Sequence, residues 1–256
     1  MHSKTQTIDL NLDAGEDAAM LANGREAALY ELVSSVNIAC GGHTGNEQTM
    51  RAAVRLARAC QLSIGAHPSY PDRAGFGRLE LKLEPALLTQ SLLDQLEALA
   101  RICDEEGVRL AHVKPHGALY NVAAFDRETA RAFLSAVTTY DPAKNIKVFG
   151  LAGTPLAHVV HGAGFEFVGE AFVDRRYEAN GQLRARSFAN ALIDNPADAA
   201  EQAVNILEGR VRSHDGVELS LLAQTLCIHG DTPNALETAR AVRGVLDALG
   251  VRVERR

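Results

Sequence analysis

The run Val113-Lys114-Pro115-His116-Gly117-Ala118-Leu119-Tyr120-Asn121 sets an ammonium and an imidazole two residues apart, at the end of an apolar lead-in. On a strand these two side chains share a side, and Pro115 removes the backbone donor that a central strand would need to continue. Burying both groups is costly unless they are paired, which suits a reaction site better than a plain core. Similar residues recur along the chain. Asp9, Asn11 and Asp13 alternate from inside a strand into a turn at Gly15 and Glu16, so two carboxylates and an amide share one face. A simple turn would explain Asp, Asn and Gly, but not polar residues that begin inside the strand.

Two chemistries fit these residues. Asp13, His43 and His67 could hold a divalent metal (Mg, Mn or Zn) through carboxylate oxygen and imidazole nitrogen, leaving positions open for water. Without a metal, Lys114 and Arg175 could stabilise an oxyanion, His116 or His229 could move a proton at neutral pH, and Asp174 or Asp231 could orient them. No H-E-x-x-H, G-x-S-x-G or G-x-x-x-x-G-K-[ST] pattern occurs, so neither a zincin helix, a serine elbow nor a P-loop is supported.

The elements that must carry these residues read in order. Strands are predicted at Thr7 to Leu12, Ser35 to Ala39, Leu62 to Ala66, Arg109 to Val113, Ile146 to Leu151, Phe165 to Val173 and Thr225 to Ile228. Helices are predicted over Ala18 to Leu32, around Gln48 to Ala59, from Pro85 to a stop at Gly107, over Arg127 to Val137, briefly around His158, over Ala197 to Leu207 and from Pro233 to Leu249. Thr44 and Glu47 have the spacing of a capping box, which makes Glu47 a helix-start residue. Tyr177 to Arg186, centred on Asn180-Gly181, reads as a hairpin or excursion.

Strands alternating with helices predict parallel pairing through crossovers. Asp13, His43, His67, Lys114, His116, Asp174 and His229 all fall at or just beyond carboxyl ends of predicted strands. A closed β/α barrel gathers such ends on one face, whereas an open doubly wound sheet gathers them only near its switch point. A single α/β-barrel domain over residues 1–256 is the expectation.

Composition bounds the partners. A chain of 256 residues, 46% hydrophobic, can bury a full core. Its net charge of −6 and lack of basic blocks argue against nucleic acid and acidic membrane surfaces. Cys40, Cys60, Cys103 and Cys227 are scattered without a C-x-x-C pair, predicting reduced thiols. The polar start, Met1 to Gln6, and the absence of a long apolar run predict a cytoplasmic protein without leader or membrane span.

The blocks Asp9–Glu16, Asn37–His43, Gly65–Asp72, Gly75–Arg78, Val113–Asn121, Asp174–Tyr177 and Cys227–Asp231, in this order and nearly end to end, resemble the LamB/YcsF family. The resemblance implies a seven-stranded, TIM-like barrel of the glycoside hydrolase/deacetylase type. It also implies opening of 5-oxoproline to L-glutamate at the expense of ATP, with two partner subunits, B and C. Within these blocks Asn11, Glu16, Tyr70, Arg78, Tyr120 and Asn121 are the expected substrate contacts, beside the catalytic set Lys114, His116, Asp174, Arg175, His229 and Asp231. Nucleotide binding would use strand-end loops such as Gly150 to Thr154 or the partners. Two positions depart from the family pattern: Asn46 stands where an aspartate is common, and Leu79 where a second arginine follows Arg78. A self-sufficient metal-dependent deacetylase or hydrolase of a sugar or amide, and a non-catalytic binding barrel, are the alternatives.

Overall fold

The outward, apolar faces of these strands need cover, and this chain supplies it by following strands with helices. The computed structural model describes residues 6–256; residues 1–5, within the stretch on which the expectation of no leader rests, lie outside the described residues. β1 (Thr7–Ala14), β2 (Ser35–Ala39), β3 (Ser63–His67), β4 (His112–Val113), β5 (Lys147–Leu151) and β6 (Phe167–Phe172) pair side by side in parallel. An antiparallel hairpin, β7 (Arg210–Arg212) with β8 (Glu218–Ser220), precedes β9 (Thr225–His229). β9 runs parallel to both β6 and β1, so seven strands close into the expected parallel β/α barrel. β10 (Arg252–Val253) extends the sheet beside the start of β1.

The helices are α1 (Ala18–Ala22), α2 (Arg25–Tyr30), α3 (Glu47–Ala59), α4 (Pro85–Glu105), α5 (Gly117–Phe125), α6 (Arg127–Tyr140), α7 (Leu156–Gly162), α8 (Pro196–Leu207) and α9 (Ala235–Ala248). The amphipathic stripe expected of α4 is buried at Leu88, Leu92, Leu96 and Leu99, each worth about 1.5–3 kcal/mol relative to exposure. The single helix expected over Ala18 to Leu32 is instead two, because Asn23 and Gly24 break it and Gly24 takes a left-handed φ of 79°. α5, which starts inside the Lys114–Asn121 stretch, has no counterpart among the predicted elements, and neither has the β7–β8 hairpin. The capping box of α3 is also shifted: Asn46 and Thr49 satisfy each other's backbone N–H groups, while Glu47 points outward to Arg51 at 2.9 Å. Position 46 therefore caps a helix here. Among the described residues no helix is long and apolar enough to cross a membrane, and all four cysteines are free.

The barrel interior is polar, unlike the branched apolar layers that usually fill such barrels. Strand alternation turns Asp9, Asn11 and Asp13 inward, and the register sets Asp9 beside Thr225, Asn11 beside Ser35 and Asp13 beside both Asn37 and His229. At the bottom Asp9 accepts from Ser34, Ser35 and Thr225; burial pushes its carboxyl up, against these hydroxyls. One layer higher, Asn37 donates to Asn11 Oδ1 at 2.7 Å and accepts from His112 Nε2 at 2.8 Å. A side chain at Gly65 would collide with the His112 ring, so the glycine makes the space this histidine occupies.

His112 gives the fold a pH dependence. Its ring stacks on Phe149 with centroids 4.0 Å apart, and burial, reinforced by the Lys114 charge, pushes its pKa down to about 3. The folded protein holds it neutral, whereas the unfolded chain protonates it near an ordinary value of about 6.5. Its contribution is complete above that value and is lost as the pH falls toward about 3, at about 1.4 kcal/mol per pH unit. Urea unfolding between pH 6 and pH 4 is expected to show a slope that shallows in His112→Gln. Equal slopes in both proteins would refute it.

Candidate active site

Lys114 is held at the bottom of the barrel mouth because its backbone continues β4 beside β3, donating N–H to Ala66 O at 2.9 Å. Its side chain is buried, with Nζ 2.8 Å from Asp13 Oδ1 and 2.8 Å from Glu170 Oε1. Nζ also reaches Asn11 Oδ1 at 3.2 Å and Cys227 Sγ at 3.1 Å. Burial works against the ammonium, but Asp13 and Glu170 more than offset it and hold the Lys114 pKa well above the ordinary value. Burial would likewise raise Asp13; His67 and Lys114 instead keep its carboxyl well below the usual range. Both are therefore ionised at neutral pH.

Beside this pair stand three imidazoles whose outer nitrogens face acceptors. His67 Nδ1 lies 2.9 Å from Lys114 O, His116 Nε2 lies 3.0 Å from Phe76 O, and His43 Nδ1 lies 3.0 Å from Ser69 Oγ, whose own hydrogen goes to Tyr70 O. Each outer nitrogen must therefore carry a hydrogen and donate. Phe76 turns its carbonyl toward His116 from a left-handed backbone, φ 55°, a conformation a bulky residue adopts only under external constraint. Gly77 locks the loop by accepting from Ala118 N–H at 2.9 Å, and a side chain at Gly117 would run into the Gly77 carbonyl. Burial pushes His43 and His116 down, toward the neutral ring.

In His43 and His116, neutral and so fixed, the inner nitrogens present lone pairs. His67 Nε2 and His116 Nδ1 are 3.0 Å apart, with Asp13 Oδ2 3.4 Å from the former; Glu16 Oε1 is 3.3 Å from His116 Nδ1 and 3.0 Å from His43 Nε2. Lone pairs converging on carboxylates need a proton or a cation between them. The donor set of Asp13, His67 and His116 fits a divalent metal, its ligand atoms all within 4.8 Å of one another. His43, expected in that trio, groups instead with Glu16 and His116 and stacks on His116 at 3.6 Å.

Across the mouth, His229 closes β9 and Asp174 follows β6. Both Asp174 oxygens lie 2.9–3.0 Å from His229 Nδ1, and Oδ2 also accepts the His229 backbone N–H at 2.8 Å. Burial raises Asp174, but the facing His229 outweighs it and keeps the carboxyl low. With Nδ1–H committed, His229 Nε2 is the free nitrogen, 4.0 Å from Asp13 Oδ2. That nitrogen can take a proton.

These groups surround a cavity of about 180 Å³. Asp13, His67, Lys114, His116, Arg175, His229 and Asp231 line it, as do Glu16, Arg78, Tyr120 and Asn121. Asp174 stands behind His229. Two residues expected to touch substrate are elsewhere: Asn11 is fully buried below the site, donating to Glu170 and Thr225, and Tyr70 is buried outside the cavity lining. Alternation turns Asn11 into the barrel one layer too deep. Arg78 is committed to Asp231, Nη2 to Oδ2 2.7 Å. Glu170, Asn37, His112, Cys227 and Arg186 were not expected as site residues from the sequence. Glu170 carried a signal, as an acid inside the apolar strand Phe167–Phe172; Arg186 sits in the excursion and carried none.

Fold and site together define a TIM-like barrel protein with a buried acid–base cluster at the carboxyl ends of its strands. The chain belongs to the LamB/YcsF family, which it matches over residues 8–256. It is 47% identical over 247 residues to a Thermus thermophilus protein named as the A subunit of 5-oxoprolinase, covering 96% of this chain and 98% of that one. The crystal structure of a lactam utilization protein from Thermus thermophilus is similar with a TM-score of 0.88 and 45% identity, covering 97% of this chain and 99% of that chain. A family 4 carbohydrate esterase from Streptomyces lividans shares the fold at 12% identity and a TM-score of 0.50, covering 98% and 93%.

Proposed function

We propose that this chain is the A subunit of an ATP-dependent 5-oxoprolinase, opening the lactam of 5-oxo-L-proline to L-glutamate together with partner subunits B and C in the cytoplasm. The observation that carries the reading is the cavity where the His229–Asp174 pair, the Lys114 ammonium and the His67–His116 pair face one another. The names of the full-length relatives support the substrate and the role as one component of a complex.

A lactam resists water because its nitrogen lone pair is delocalised into the carbonyl. Transfer of the ATP γ-phosphoryl group to the lactam oxygen would remove that protection and supply a leaving group. Water then attacks the carbon while His229 Nε2 takes its proton, the C–N bond breaks, and the ring nitrogen leaves with a proton that the histidine returns; a second water hydrolyses the resulting acyl phosphate, releasing inorganic phosphate and L-glutamate. Asp174 keeps His229 in the tautomer that can do this. The Lys114 ammonium offers positive charge to the developing oxyanion. Asp13, His67 and His116 would hold a divalent metal such as Mg, Mn or Zn, which when bound supplies polarisation of a carbonyl or phosphoryl oxygen. The nucleotide needs more room than about 180 Å³, and the Gly150–Thr154 loop spends its Thr154 hydroxyl on Leu151 O. Both facts favour a contribution from the partners.

The test is ADP release dependent on 5-oxoproline, measured with this chain alone and with both partners, alongside metal analysis of the purified chain. Turnover only in the complete complex, and a divalent ion that is lost in His116→Ala, are expected. Turnover of an acetylated sugar by the isolated chain, with none of 5-oxoproline in the complex, would replace this reading by a stand-alone deacetylase.

A further inference from the structure

Three guanidinium groups line the cavity, those of Arg78, Arg175 and Arg186, and they do not stand alike. Arg78 is paired with Asp231, and Arg186 lies 3.7 Å from the same carboxylate oxygen. Arg175 is 6% exposed and, among the described residues, has no carboxylate at ion-pair distance. Its Nη2 donates to the backbone carbonyl of Arg184 at 2.7 Å, and its Nε has no partner. A buried cation left this way is destabilising unless a ligand completes it. Burial and the neighbouring Arg186 lower its pKa to about 10, which still leaves it charged at neutral pH.

The backbone fixes this guanidinium in place. Arg175 bridges to Leu192, and Gln202 Nε2 donates to its carbonyl at 2.8 Å. The excursion folds over it through Tyr177 and Leu183, and brings Arg186 to the same wall. The position is built for an anion that arrives with the ligand.

Resting on the reading of the substrate as 5-oxoproline, we infer that Arg175, seconded by Arg186, binds the substrate's carboxylate and fixes the ring with its carbonyl toward Lys114 and His229. A guanidinium matches a carboxylate with two parallel hydrogen bonds. The cavity, about 180 Å³, suits a small carboxylic acid rather than a nucleoside triphosphate. Arg78 is left to its ion pair with Asp231.

The experiment is steady-state kinetics of the reconstituted complex with both substrates varied. Arg175→Gln is expected to raise KM for 5-oxoproline on the order of 100-fold, with KM for ATP unchanged. Arg175→Lys should recover part of this loss, since it restores charge without the planar fork. Arg186→Gln is expected to raise the same KM roughly tenfold; it also decides the matter if Arg175→Gln does not fold. A rise in KM for ATP instead would assign the arginines to a phosphate, and a fall in kcat at constant KM would assign them to the chemistry; either overturns the inference, as does no change. Failure of the functional reading itself looks different, because the wild-type complex would then release no ADP on addition of 5-oxoproline, and the carboxylate assignment would fall with it.

Discussion

Lys114→Met is expected to lower the stability of the folded chain by about 3–5 kcal/mol at neutral pH and to abolish turnover. The side chain it replaces is buried with two carboxylates on its ammonium, Asp13 and Glu170, both themselves buried. Methionine fills the volume but leaves two negative charges facing each other out of water. Asp13 would lose the Lys114 charge that helps to hold its carboxyl low. The sign of the pH effect follows. In the wild type the depressed Asp13 contributes stability above an ordinary carboxyl pKa of about 3.9, and loses it as the pH falls through its lower folded value. The raised Lys114 contributes below an ordinary pKa of about 10.4, and loses it only as the pH rises through its higher folded value. Neutral pH lies where both terms are complete, so the variant's deficit should be large at pH 7 and shrink on acidification, as the carboxylates take up protons. Urea denaturation at pH 7 and pH 5 measures this. Adding Glu170→Gln to Lys114→Met should recover part of the deficit. A variant within about 0.5 kcal/mol of wild type at pH 7, an ordinary surface-scale change, would mean that the ammonium does not hold the site together.

Asp174→Asn is expected to cut kcat by about 10²–10⁴-fold with KM for either substrate little changed. The carboxylate accepts twice: from His229 Nδ1 with both oxygens, and from the His229 backbone N–H with Oδ2. An amide has one acceptor oxygen and one donor nitrogen. Whichever way it turns, one of these contacts becomes donor against donor, unless the ring moves its hydrogen to Nε2. With that hydrogen in place Nε2 can no longer accept a proton from water. The fold should tolerate the change, since the shape is kept and the pair sits at the mouth. A raised KM with kcat intact would place Asp174 in substrate binding and end its assignment as the residue that orients the base.

The barrel was legible because its signal is local and repeated. Apolar strands ending in His, Asp or Lys, each followed by a helical pattern, specify both parallel pairing and the face on which the polar ends gather. What misled was equally local. Thr44-x-x-Glu47 has capping-box spacing, yet Asn46 begins α3, because the turn after Gly45 delivers the amide to the first free N–H groups. Asn11 looked like a substrate contact beside Asp13, but two residues along a strand is one full layer deeper in a closed barrel.

The sequence by itself determined the family, the closed parallel fold and most of the residues at its mouth: the strand ends, the glycine turns and the alternation of Asp9, Asn11 and Asp13. Tertiary structure alone decided who pairs with whom. Glu170 is an ordinary acid in the chain and becomes the second counter-ion of Lys114 only when barrel formation sets β4 and β6 on either side of β5; His116 replaces His43 beside Asp13 because the Phe76 carbonyl fixes its ring. Arg78 pairs with Asp231, 153 residues further along the chain, while Arg175 Nε has no partner among the described residues. Strand periodicity fixes the direction of a side chain, but electrostatic partnership depends on distances of about 3 Å between residues far apart in the chain, and only barrel closure sets those.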